Sequence, residues 1–375
     1  QAQFGDGNIN FRKSQFGGNV DFRNVNFGSG EVDFLDTQFN GDNLDFSYAN
    51  SKIGYISFTD AKFNCQIVLF NNINFSNNDV NFIKAIFKGE SPSFSNSSFG
   101  DVNFYRTNFG NGTVNFKLSN FNNCSFEYAD FGTGDVMFNK STFKGHADFS
   151  KLTNPTTINS FNFSKGTFEK TIDISHNEFN CIVDFTNTSI NHQLTLDNLV
   201  CNYSTSNKAI NPDDIPRLRR LKEIAENNKD RELELEFNAQ EMRCKREHNK
   251  NKHFDVYLDT AYDKISNYGR SELKPLACLF GVWFFFGLVY LFLSSFVKPL
   301  SSEFFWVKFN DAMSFSGAQI LPFVPSSRLV IQEGVTTLFA NDFSSGIYFV
   351  AILQSTLSFG LLFLVGLALR NRFRL

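Results

Sequence analysis

Residues 63–99 read FNCQIVLFNNINFSNNDVNFIKAIFKGESPSFSNSSF, with Phe at 63, 70, 75, 82, 87, 94 and 99. The steps are 7, 5, 7, 5, 7 and 5. The beat runs upstream through Phe27, Phe34, Phe39 and Phe46. It holds even where Phe is missing, because Ser51 lies five after Phe46 and seven before Phe58. A register kept this long marks an internal structural repeat.

With each Phe taken as position i, position i−2 is small or branched: Val25, Val32, Thr37, Ala61, Val80, Ser97, Val102. Position i−1 is often Asn or Asp, as at Asp33, Asp45, Asn103 and Asp148. Residues i and i−2 share one face of an extended chain. A steady five does not fit a helical period. The longer steps hold turn residues, such as Gly28-Ser29-Gly30, Gly110-Asn111-Gly112 and Gly132-Thr133-Gly134. Gly and Asn supply the positive φ of tight corners. Short strands joined by corners wind into a solenoid, with Phe stacked on Phe at about 4.8 Å per coil. The beat lapses over 151–160 around Pro155, which predicts an extruded loop. It resumes as Ile174, Phe179, Phe185, Ile190, Leu196 and Cys201.

This pattern resembles the pentapeptide-repeat family. The resemblance implies a right-handed, four-sided β-helix over residues 1–203. The seven-residue steps are insertions relative to a strict pentapeptide, so alternate corners should bulge. Some relatives in that family mimic DNA and bind topoisomerases. Residues 1–200 carry 14 basic and 20 acidic groups, a weak acidity for such mimicry. The resemblance otherwise implies a rigid rod that docks a protein or ligand. The open N-terminal end exposes Phe-rich core and calls for a cap, a missing segment or a partner.

Composition narrows the function further. Net charge is −3, so nothing global demands nucleic acid. The six Cys (65, 124, 181, 201, 244, 278) form no C-x-x-C pair and read as small apolar filler in a reducing compartment. The five His are scattered, and His248 and His253 lack a second ligand pair. No phosphate-binding loop, nucleophile elbow or paired carboxylates stand out. No enzyme activity, metal or cofactor is expected.

Residues 204–274 read as a charged helical neck. One helix starts near Asn211-Pro212, with Ile215, Leu218, Leu221 and Ile224 at helical spacing. A second runs from about Asp230, acidic first and basic last, as the macrodipole favours. Phe254, Leu258, Ala261 and Ile265 form a third apolar stripe that stops at Gly269. The segment resembles the juxtamembrane region of membrane-anchored bacterial pentapeptide-repeat proteins, which implies a relay from rod to membrane.

Residues 275–375 read as a membrane module. Residues 275–297 and 343–369 are uncharged runs of 23 and 27 residues, each longer than the roughly 20 needed to span a bilayer. Arg270, Lys274, Arg370, Arg372 and Arg374 flank the ends, so the positive-inside rule puts both termini in the cytoplasm of a bacterial inner membrane. Residues 304–322 form an apolar segment too short to span, which predicts a re-entrant helix. Span, half-helix, span resembles the two-helix pore module of tetrameric ion channels. That implies an ion-channel-like homo-oligomer, with Ser314, Ser316, Gln319, Pro322, Gln354 and Ser358 lining a pore and Gly360 and Gly366 as gating hinges. The chain departs from that pattern in having no T-V-G-Y-G filter. The stripe of Ala351, Gln354 and Ser358 fits a helix–helix contact equally well, and the chain then reads as a non-conducting anchor for the rod. Lipid is the expected partner in both cases.

Overall fold

The structure, a computed structural model, describes residues 2–89, 91–202, 211–248, 253–297, 305–340 and 344–373. The start of the expected neck at 204–210, and the positions 304, 343 and Arg374, lie outside the described residues. The chain divides into two compact units, Gln1–His248 and Asn249–Leu375.

The first unit is a β-solenoid of about eight turns. Its strands are two to four residues long and pair in parallel with the coils above and below. In-register pairs such as Phe39↔Phe63 and Val102↔Cys124 set the coil lengths, 24 and 22 residues respectively. Four stacks of Phe fill the interior. One runs Phe34–Phe58–Phe82–Phe104, with ring centroids 4.9, 4.8 and 4.8 Å apart and nearly parallel planes. These rings are fully buried. Parallel pairing forces like residues to stack, so a periodic sequence becomes a continuous aromatic column.

Small residues at i−2 do more than make room. Ser97, Thr107, Ser119 and Ser141 are buried, and each hydroxyl donates to the carbonyl of a Phe one coil back, at 2.6–2.7 Å. The Asn or Asp at i−1 closes the corner that follows. Asp33 Oδ1 accepts the Leu35 N–H, and Asn103 Oδ1 accepts that of Tyr105, both at 2.8 Å. These are Asx turns, in which a side chain replaces a backbone turn acceptor.

The missing rung at Ser51 is repaired locally. Ser51 Oγ donates to the Gly28 carbonyl at 3.1 Å, and the rings of Phe27 and Phe75 close to 6.5 Å across it. The segment around Pro155 departs from the expected extruded loop. It is a 3-10 turn, Pro155–Thr157, held down by Thr157 Oγ1 donating to Gly132 O and Asn180 Nδ2 donating to Thr156 O. The column loses a Phe there, and Phe161 fills the gap between Phe131 and Phe179, at 5.7 and 5.6 Å.

Two helices complete this unit. α1 (Asp214–Asn227) buries Leu218, Leu221, Ile224 and Ala225 in the solenoid's own core. It starts just past the Asn211-Pro212 pair, where Asn211 Oδ1 accepts the Asp213 N–H. Arg217 reaches Asp184 at 3.3 Å, Arg220 donates to Thr188 O, and Asn228 donates to Leu194 O. α1 therefore closes the last coils. α2 (Arg231–His248) is capped by Asp230, whose Oδ1 accepts the Leu233 N–H at 3.1 Å, and it buries Phe237 and Cys244. The charged segment is thus divided: α1 and α2 are part of the solenoid unit, and α3 (His253–Ser266) belongs to the second.

The second unit also holds α4 (Leu273–Val297), α5 (Phe305–Ile320), α6 (Pro325–Phe339) and α7 (Ser345–Phe373). α4 and α7 are long and apolar enough to cross a membrane, with mean hydropathy 2.4 and 2.0. Only 22% of each apolar stretch is buried, which is not how the core helix of a water-soluble domain sits. α6 is an addition to the sequence reading, which placed no helix between Pro325 and the second span.

Candidate functional site

The expected site residues fall in the second unit, and three of them, Ser316, Gln319 and Gln354, are tied into its helix contacts. α4 and α7 run antiparallel: Asn371 Nδ2 donates to Gly269 O just before α4, and Arg372 pairs with Glu272. α5 packs against both. Its Ser316 Oγ donates to the Trp283 carbonyl on α4 at 2.7 Å. Trp283 Nε1 returns a bond to the Met313 carbonyl at 3.0 Å. Gln354 on α7 then donates through Nε2 to Ser316 Oγ at 2.8 Å and Ser316 O at 2.9 Å. Beside it, Ser355 Oγ donates to Gln319 O and Oε1, at 3.1 and 3.2 Å.

Ser316, Gln354 and Ser358 are fully buried, and Gln319 nearly so. In one copy of the chain Ser316, Gln319 and Gln354 therefore stand in the α4–α5–α7 contact. Two polar atoms here, Gln354 Oε1 and Ser358 Oγ, have no hydrogen-bond partner among the described residues. Ser314 is exposed on α5, and Pro322 sits half-buried in the turn before α6. Gly360 and Gly366 are exposed on an unbroken α7, with open space where a Cβ would stand. Small residues admit close approach elsewhere: at Gly287 a Cβ would run into the Met313 sulfur.

Sequence reasoning missed Ser355 and Trp283, the partners that tie the polar stripe to α5 and α4. It also missed the outer face of α6. There Arg328, Gln332, Glu333 and Thr336 are exposed together at spacings of 4, 5 and 8, one side of a helix.

The exposed chemistry of the first unit includes a cation–aromatic column, with Arg106 over Tyr105 and Tyr128 at 5.3 and 5.6 Å and Lys151 over Tyr128 at 5.7 Å. Arg23 beside Asp21 holds that carboxyl down at about 2. No group of three or more His, Cys, Asp or Glu able to hold a metal ion occurs among the described residues. Burial pushes the thiols of Cys201 and Cys244 up to about 12 and about 11, so they are poor nucleophiles.

A model of pentapeptide repeats (9 copies) matches residues 111–153. That match and the β-solenoid together support the pentapeptide-repeat β-helix family. Neither a curated protein nor a solved structure matches the chain. Solenoids of this family are typically non-enzymatic structural or interaction proteins, and a β-helix joined to two possible membrane helices fits a protein-interaction scaffold.

Proposed function

We propose that the chain is a membrane-anchored scaffold: α4 and α7 cross a bacterial inner membrane as a hairpin, and the solenoid is displayed in the cytoplasm for a protein partner. The observation that carries this reading is the Gln354–Ser316–Trp283 chain, which ties α7 and α5 to α4 inside one copy. In lipid, such bonds lock helices together.

The α5–α6 hairpin is read as re-entrant. A 16-residue helix is about 24 Å long, short of the roughly 30 Å hydrocarbon core. Its Ser316 lies level with Trp283 and Gln354, near the middle of α4 and α7. α5 thus enters from the far side, reaches mid-depth, and α6 returns.

A second reading is favoured by the outer face of α6. Lipid does not accept Arg328, Gln332 and Glu333 at depth, so that face needs water or another copy. Several copies around an axis, four by resemblance, would enclose a water-filled passage. Ion flux from vesicles holding the full-length protein separates the two. Sealed vesicles support the scaffold. A leak abolished by Glu333→Leu, with the protein still inserted, supports the passage and overturns the scaffold.

A further inference from the structure

We infer that α3 is an interfacial helix whose Phe254–Tyr257–Leu258–Ala261 face rests on the lipid headgroup layer where α4 enters the bilayer; the inference rests on the spanning reading above.

α3 sorts its residues by side. Phe254, Tyr257, Leu258, Ala261 and Ile265 fall within an arc of about 100°. Asp255, Asp259 and Asp263 fall opposite. The apolar arc is turned outward: Phe254 and Tyr257 are 74% and 73% exposed, and Leu258 56%. A helix bathed in water does the reverse. The unit instead holds α3 by its other side, where Tyr268 Oη donates to Asp259 at 2.7 Å and the rings of Tyr262 and Tyr268 meet edge to face at 5.4 Å.

Position names the occupant. Asn267, Tyr268 and Gly269 all have positive φ and turn the chain sharply. α4 then begins at Leu273. Asn371 and Arg372 bind this same turn. The end of α3 is therefore level with the start of one span and the end of the other, at the edge of the apolar slab. The same edge exposes Leu273, Leu276 and Phe280, which face lipid on the spanning reading. Aromatic rings suit the headgroup layer. Lys264 borders the arc, where it meets anionic headgroups, and the carboxylates lie on the far side.

The test uses the full-length protein in phosphatidylcholine–phosphatidylglycerol vesicles, with lipids brominated close to the headgroup or iodide in the buffer. For Phe254→Trp, and independently for Leu258→Trp, most of the added emission is expected to be lost to brominated lipid and little to iodide. Asp255→Trp is expected to behave oppositely. Emission from Phe254→Trp and Leu258→Trp quenched only by iodide, or shielded from both as under a second copy, overturns the inference. The native Trp283 on α4 and Trp306 on α5 keep the two readings apart when lipids brominated deep in the acyl chain are used as well. Wild-type emission untouched by either brominated lipid refutes the spanning reading, whereas quenched wild-type with unquenched added emission refutes only the interfacial helix.

Discussion

Gln354 on α7 and Ser316 on α5 are joined twice, Nε2 donating to both the hydroxyl at 2.8 Å and the carbonyl at 2.9 Å. The Ser316 hydroxyl donates its own hydrogen bond to Trp283 O. Its directions are thus fixed: it accepts from α7 and donates to α4. One side chain sets the spacing of three helices.

Removing either member leaves a buried polar group alone. Gln354→Leu is expected to cost about 1–2 kcal/mol, between a membrane hydrogen bond and an orphaned buried group. Thermal unfolding in detergent micelles checks this. Exposed Ser314→Ala is the matched control and is expected to change nothing.

The aromatic column makes a different demand. Phe94 stacks on Phe70 and Phe116 at 5.1 and 4.6 Å and is fully buried. Phe94→Ala is expected to cost about 3–5 kcal/mol, a large-to-small core change. Solenoids couple mainly to nearest neighbours. Hydrogen exchange should therefore show protection lost first in the coils around residues 70–116.

Much of this solenoid was legible beforehand, and the exceptions have physical causes. Phe spacing locates the strands because parallel stacking repeats every coil. It says little about the corners. The sequence reading gave positive φ to Gly and Asn, yet Lys84, Arg106, Leu118 and Tyr128 all adopt it. The stack above and below imposes that conformation on whatever residue arrives. At Gly41 glycine serves close approach instead, and at Gly132 it serves both, since a Cβ would collide with the carbonyls of Gly18 and Gly110. The Pro155 segment looked extruded because its anchors, Gly132 and Asn180, are a coil away in sequence. In the second unit, hydropathy revealed α4 and α7. It hid α6, whose Arg328 and Glu333 break the apolar pattern. It also could not pair Gln354 with Ser316 across 38 residues.

The corners supply opposed substitutions. Leu118 is half exposed at φ 61°, and left-handed backbone costs a branched residue about 1–2 kcal/mol. Leu118→Gly is expected to raise the urea midpoint. Gly132→Ala, at φ 65° and against Gly110 O, is expected to lower it by more than Leu118→Gly raises it.

Glu241 offers a pH test. Its side chain is 2% exposed, with Lys245, Arg219 and Lys222 at 2.7, 3.1 and 3.3 Å. Burial works to raise the carboxyl, but the hydrogen bond from Lys245 and the neighbouring cations outweigh it and leave it below the usual range. A carboxyl depressed in the folded state stabilises above its unfolded value, near 4.3, and that stability is lost as pH falls through the folded value. Glu241→Gln is expected to cost about 1–2 kcal/mol at neutral pH, after discounting for the partly exposed cations. The gap from wild type should close below about pH 4. Denaturant unfolding of the full chain across pH reads both.

The central claim is that α4 and α7 hold the chain in a bilayer. Flotation of carbonate-washed membranes on a sucrose gradient tests it most directly, because aggregates sink while inserted proteins rise with lipid. The full-length protein is expected to float after the alkaline wash. Release of the protein into the wash, with the solenoid intact, would contradict it.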